Sequence, residues 1–194
     1  MIYKLRKGEG DVIAYQMPYL EGQNVNFNYV ISPLSTRQVV IQKKPANWRN
    51  MTQETLDSVL LRSLEDLNGK SLRIYNDDLV EENLINYFEE KQIEVTINRS
   101  VNDYPDEELI FRVLNGKIKY AVVNSFIANF HATYFGDLST DLKLSEEMEM
   151  GWVVRKKSTD LLAALSQEFS NFIAAGKFQE IYDKYFKEKK VIAN

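Results

Sequence analysis

Between residues 71 and 124 the chain alternates strand-like and helix-like runs, and this alternation restricts its fold more than any other feature. SLRIYN (71–76), IEVTIN (93–98) and IKYAVVN (118–124) are short runs rich in β-branched and apolar residues. Between them, 79–91 carries Leu84, Ile85 and Phe88 at helical spacing, and 106–114 reads as a second helix closed by Asn115-Gly116. Asp77 or Asp78 is placed to cap the first of these helices. A β-α-β-α-β order implies parallel strands with helices laid on the faces of the sheet.

Flanking segments extend the pattern. Residues 11–17 form an apolar run between Gly10 and Pro18, read as a short buried strand, and 29–44 is extended chain interrupted at Pro33. Residues 52–64 show helical spacing, with Leu56, Val59, Leu60 and Leu64 on one face and Thr52 as cap. After the third strand, 125–134 reads as a helix, 136–147 as a polar connection and 148–156 as a returning strand. Two amphipathic helices follow, 159–174 and 177–186, broken at Gly176; Leu161, Leu162, Leu165, Phe169 and Phe172 mark the inner face of the first, and Phe178, Ile181, Tyr185 and Phe186 that of the second.

Composition removes several classes of function. A formal net charge of −4 and the lack of a basic stripe give no footprint for nucleic acid. Without cysteine there are no disulfides, thiolate metal sites or cysteine nucleophiles. His131 is the single histidine, so a metal centre or a histidine general base is not expected, and no cofactor is implied. No apolar run reaches the ~18–20 residues that span a bilayer. The paired glutamates at 81–82, 89–90, 107–108 and 146–147 read as solvated helix faces, and no carboxylate stands out in the apolar setting that raises the pKa of a glycosidase acid. Trp152 is read as core, whereas Trp48 lies in a polar stretch where it is free to stack on a sugar.

Six segments in order, GEGDVIA (8–14), STRQVVIQKK (35–44), DLNGKSLRIY (66–75), LNGKIKYAVVNS (114–125), MGWVVRKKSTDLLAAL (150–165) and GKFQEIYDKYF (176–186), resemble the type II periplasmic-binding-protein fold of solute-binding family 3. NGKIKYAVVNS, DLSTDLKL and GWVVRK together are most similar to the amino-terminal module of the membrane-bound lytic murein transglycosylase F family. The resemblance implies two α/β lobes joined by two crossing strands, with residues 1–36 plus 150–194 in lobe one and 37–149 in lobe two. It also implies ligand binding in the cleft between lobes, closure about crossings near 36–40 and 148–152, and neither crossing deeply packed. Lobe one is expected to be incomplete at its N-terminus, since the fold begins with a further βαβα portion. The family's catalytic domain is expected downstream and outside this chain, which is therefore not itself expected to be an enzyme. The expected location is the periplasm, any membrane anchor lying outside this chain.

Carried over by position, the resemblance places Tyr15, Gln16 and Pro18 on a ligand-contacting loop of lobe one. The arginine that clasps an α-carboxylate in amino-acid-binding relatives falls on or near Gln23, and the aspartate that receives an ammonium falls on Asn124. Arg37 stands beside the first crossing, and Asp78 and Leu79 open a helix whose N–H groups face ligand in relatives, Asp78 serving either as cap or as contact. With amides at both ionic positions, a free α-amino acid is a poor fit, and a muropeptide or glycan fragment a better one. The leading expectation is thus a regulatory or targeting module that reaches peptidoglycan through an attached catalytic domain. The alternatives are a free solute-binding protein of an amino-acid or peptide transporter, and an enzyme cleaving glycan directly.

Overall fold

The computed structural model describes residues 2–19, 27–76, 78–100 and 105–187 of the 194. Two compact units divide them: unit one holds 2–36 and 147–187, unit two holds 37–146. The chain passes between them at 36/37 and again at 146/147.

Unit two is built on a five-stranded sheet of order β5-β4-β6-β3-β7, formed by β3 (Gln38–Lys43), β4 (Lys70–Ile74), β5 (Val95–Arg99), β6 (Tyr120–Asn124) and β7 (Leu138–Lys143). β4 is parallel to both β5 and β6, as the β-α-β-α-β order requires, and β3 runs antiparallel to β6 and β7. The connecting helices are α3 (Asp78–Lys91) and α4 (Asp106–Leu114), and α5 (Ser125–Ala132) leads from β6 towards β7. Strand periodicity sorts the side chains into two cores. Val40, Leu72, Ile74 and Val122 pack with Leu84 and Phe88 of α3, while Val39, Ile41, Ala121 and Val123 pack with Leu109, Ile110 and Val113 of α4 and Ala128 of α5. Adjacent residues of one strand thus serve opposite faces, which is why β3 and β6 read as continuous apolar runs.

Several sequence expectations change here. The 136–147 stretch is not merely a polar connection, because it contains β7. Leu138, Ser139 and Leu142 are buried, and the polarity of the strand is absorbed by Asp141, which pairs with Arg62 and accepts from Ser139 Oγ at 2.8 Å. Ile85 is 41% exposed, on the outer side of α3. The helix predicted over 52–64 is α2 (Gln53–Val59), with Thr52 capping by accepting the Thr55 N–H. Val59 is exposed, and the chain is extended at Leu60, so Leu60 and Leu61 are buried from an extended segment.

Gln42 explains this early stop. Its buried amide donates to Leu61 C=O at 2.9 Å and accepts from Leu61 N–H at 3.0 Å, a two-way clasp that satisfies a backbone which has left the helix. Gln42→Ala leaves both Leu61 groups buried and unpaired, and each such group costs about 1–3 kcal/mol. Urea unfolding of this variant is expected to show a loss of about 2–4 kcal/mol, and an unchanged midpoint would remove this account of where α2 ends.

Unit one contains α1 (Ile2–Lys7), which the sequence reading did not identify, and a three-stranded sheet of order β1-β8-β2: β1 (Val12–Pro18), β2 (Phe27–Thr36) and β8 (Met148–Arg155). Leu5, Ile13, Phe27 and Val153 form its core. Two helices close the chain, α6 (Thr159–Ala174) and α7 (Lys177–Tyr182), separated by Gly176 in the left-handed region at φ 73°. Trp152 is half-buried, with its ring 5.7 Å from that of Phe169. Neither helix has a fully buried residue, and Phe172, Ile181 and Tyr185 are exposed rather than turned inward.

The expectation of loosely packed crossings also needs correction. Thr36 is 1% exposed, and Val39, Val40 and Met150 are buried, because both predicted crossings lie inside paired strands. Arg37 alone separates β2 from β3, and only the second passage, at Glu146 and Glu147, is exposed.

Candidate ligand-binding site

In an open α/β sheet the carboxyl ends of the parallel strands collect the polar groups that the rest of the sheet cannot bury. In unit two this end gathers Ile74, Arg99 and Asn124, the last residues of β4, β5 and β6, together with Gln38, which starts antiparallel β3 directly opposite Asn124. Ser100 donates both its N–H (2.9 Å) and its Oγ–H (3.0 Å) to Ile74 C=O, tying the end of β5 to that of β4. α3, α4 and α5 follow β4, β5 and β6 and begin at the same end, giving it the positive ends of three helix dipoles.

Asn124 is the centre of a polar chain. Its backbone N–H (2.9 Å) and side-chain Nδ2 (2.8 Å) both donate to one carboxylate oxygen of Asp106, in the first turn of α4. Its Oδ1 accepts a longer bond of 3.4 Å from Gln38 Nε2. Asp106 is 8% exposed, and burial pushes its carboxyl up to about 6 against the pull of the two Asn124 donors. A carboxylate in an apolar setting therefore exists, contrary to the sequence expectation. Among the described residues Gln38 Oε1 is a buried acceptor with no donor.

Of the residues expected to contact ligand, Arg37 and Asn124 are brought together. Arg37 N–H donates to Ser125 Oγ at 3.0 Å, and its C=O accepts from Ser125 N–H at 2.8 Å, which fixes the first passage against the start of α5. Asp78 and Leu79 open α3 after β4. Gln23 and Asp77 lie outside the described residues. Sequence reasoning missed Gln38 and Asp106, whose roles arise from pairing across the sheet; the only local hint was a glutamine at the start of an apolar strand.

In unit one, Tyr15, Gln16 and Pro18 all lie on β1 instead of on a loop after it, with Tyr15 exposed and Gln16 half-buried. The β1–β8 register slips between Ile13 and Met17, and the β2–β8 register slips between Ile31 and Ser35. Such bulges re-aim side chains. One holds Gln16 and the other Ser32, and the two meet: Ser32 Oγ lies 3.0 Å from Gln16 Oε1 and 3.1 Å from Met150 C=O, and accepts Leu34 N–H at 3.2 Å. With a single hydroxyl proton, Ser32 donates to one of those two oxygens at a time.

Trp48 is not a free stacking platform. Its half-buried ring lies under Lys44 Nζ at 4.4 Å and Arg49 at 4.8 Å. His131 stacks among Phe111, Phe130 and Phe135, and burial lowers its pKa below the ordinary value. No group of three or more potential metal ligands occurs among the described residues, and none of their helices is long and apolar enough to cross a membrane.

Comparison with known proteins places this architecture. The profile of the bacterial extracellular solute-binding proteins, family 3, matches residues 1–188. Membrane-bound lytic murein transglycosylase F of Desulfosudis oleivorans is 24% identical over 183 residues, 94% of this chain and 37% of that protein. The protein of the same name from Aliivibrio fischeri is 27% identical over 191 residues, 94% of this chain and 34% of its own length. The chain thus spans about a third of the length of these curated relatives. Among solved structures, the P235GK mutant of ArgBP from T. maritima superposes with TM-score 0.73 at 20% identity, covering 96% of this chain and 73% of that one. An ancestral arginine-binding protein bound to arginine gives 0.70 at 20% identity, covering 95% and 75%. The fold is that of the type II periplasmic binding proteins, as the sequence motifs implied. By sequence profile and by fold, the chain belongs to family 3 of the bacterial extracellular solute-binding proteins.

Proposed function

We propose that this chain is the periplasmic regulatory module of a lytic murein transglycosylase, taking a cell-wall-derived ligand, a muropeptide or glycan fragment, between its two lobes and closing on it by a hinge motion. It carries out no catalysis itself and acts on an attached catalytic domain through its preference for the closed form. The ligand contacts are assigned to Tyr15, Gln16 and Pro18 of unit one and to Arg37, Gln38, the start of α3 at Asp78 and Leu79, and Asn124 of unit two. The observation that carries the reading is that the position expected to receive an ammonium holds an amide, Asn124, in place of a carboxylate; Gln23, at the other anchor position, lies outside the described residues. Gln16 is linked to Ser32, Asn124 to Asp106 and Gln38, and Gln38 Oε1 is a buried acceptor still lacking a donor. A hydroxyl or amide N–H of a sugar or peptide satisfies that acceptor without the charge pairing that an α-amino acid demands.

Calorimetric titration with purified muropeptides, against a panel of free amino acids, tests the proposal. Saturable heat is expected with muropeptides, and Gln38→Met, which keeps the side-chain length but removes the acceptor, is expected to weaken binding about tenfold. Saturable binding of amino acids alone would favour a free solute-binding protein that serves a transporter and would overturn the cell-wall assignment.

A further inference from the structure

At the opposite end of the unit-two sheet, where β3 finishes and β7 begins, a cavity of about 280 Å³ is bordered by Lys43, Lys44, Trp48, Arg49, Tyr134 and Asp137. Three cationic side chains meet one carboxylate here, in a chain whose formal net charge is −4. The carboxylate is already engaged: Asp137 lies 3.7 Å from Lys43 Nζ, which also donates to Leu114 C=O at 2.5 Å.

The remaining donors are held in place but not satisfied. Lys44 Nζ donates to Gly136 C=O at 2.9 Å while lying over the Trp48 ring, and its backbone N–H donates to Asp137 C=O at 2.7 Å. Gly136 packs against the same ring, a Cβ built there lying in ordinary contact with Trp48 Cζ2 at 3.4 Å. Burial holds the Lys44 ammonium below its ordinary pKa against the opposing pull of Asp141, so its charge is under-compensated. Arg49 is exposed and, among the described residues, has neither an ion pair nor a hydrogen bond, while Trp48 Nε1–H is buried out of reach of solvent with no acceptor.

We infer that this cavity is a second binding site, taking an oxyanion group, the carboxylate or phosphate of a small ligand, with Arg49 and Lys44 as charge partners beside the Trp48 ring. A planar guanidinium presents two parallel N–H groups to such an anion, and charge-assisted bonds of this kind are roughly twice as strong as neutral ones. A purely structural clamp of two cations on an indole would leave the Arg49 fork turned to solvent. An oxyanion in the cavity gives that fork a charge-assisted partner beside Lys44. The site lies at the other end of the sheet from Asn124 and Gln38, so its occupancy does not depend on the proposed solute site.

Trp48 and Trp152 are the two tryptophans, so the indole N–H region of a nitrogen-15 NMR spectrum reads this site directly. The unaltered chain is titrated with sodium succinate and, separately, with inorganic phosphate at constant ionic strength. The Trp48 resonance is assigned from its contacts to Gly136 protons and checked in Trp152→Phe. It is expected to move saturably with at least one of the two probes while that of Trp152 stays in place, and the probe that acts tells carboxylate from phosphate. Arg49→Gln, or Lys44→Gln should the first not fold, is expected to weaken the response about tenfold. No saturable movement with either probe, or unchanged affinity in a folded Arg49→Gln chain, would overturn the assignment. A muropeptide titration that failed while this one succeeded would count against the proposed function alone.

Discussion

An Asp106→Asn variant is expected to lose a pH dependence of stability that the unaltered chain shows between about pH 4 and pH 6. Asp106 is buried and its carboxyl is raised to about 6 in the folded state, whereas the ordinary value for an exposed aspartate is 3.8. Between these values the folded protein holds a proton that the unfolded chain has released, so stability falls as pH rises. The contribution is fully present below about pH 4 and is lost as pH passes through about 6. A difference of about two pKa units corresponds to about 3 kcal/mol. The asparagine cannot ionise, yet its Oδ1 still accepts from Asn124 N–H, so the variant keeps most of the geometry and discards the titration. Urea midpoints of both proteins, followed from pH 4 to 7.5, isolate the effect in their difference, because every other carboxylate is shared. The unaltered chain should lose ground to the variant by about 3 kcal/mol across that window, and a flat difference would mean that Asp106 is not held protonated by burial. Since Asp106 holds Asn124 in place, affinity for the proposed ligand is expected to respond over the same window.

How much of this was legible in the sequence depends on whether the information was local. The alternation over 71–124 specified β4, α3, β5, α4 and β6 because each element carries its own period and its own punctuation, Asn115-Gly116 included. Gly69 and Gly116 have φ of 69° and 72°, a region that glycine enters without strain. β7 was hidden because Ser139 and Asp141 look like loop residues until Arg62 arrives from a distant turn to pair with Asp141, which also accepts from Ser139. The end of α2 was hidden for the same reason, since Leu60 and Leu61 keep helical spacing and only the Gln42 amide, two strands' length away in sequence, reveals that their backbone is extended. Of the candidate ligand residues, Asn124 in unit two and Gln16 in unit one were readable as positions but their partners were not. Asp106, Gln38 and Ser32 reach them through sheet pairing and bulges, which leave no mark in local periodicity.

Gly151→Ala should be the most damaging single-methyl change in unit one. Gly151 sits in the middle strand of the three, opposite Met17 of β1 and Ile31 of β2, between the two bulges that present Gln16 and Ser32. A Cβ at this position would lie 2.6 Å from Val30 C=O oxygen, 3.1 Å from Val30 carbonyl carbon and 3.3 Å from Ile31 Cα. All three are backbone atoms, so no side chain can rotate away and β2 must move off β8. Overpacking of this kind costs about 1–3 kcal/mol, and the shift also pulls Ser32 from Met150 C=O and so releases Gln16. Gly10→Ala is the matched control, because a Cβ there meets nothing within 4 Å and its backbone is not in the left-handed region. Unfolding followed by the fluorescence of Trp152, next to Gly151, in a Trp48→Phe background should show a loss of about 3 kcal/mol for Gly151→Ala and almost none for Gly10→Ala. Equal stabilities for the two alanine variants would mean that β2 and β8 do not approach as closely at Gly151 as the sheet register requires, and the meeting of Gln16 with Ser32 would lose its physical basis.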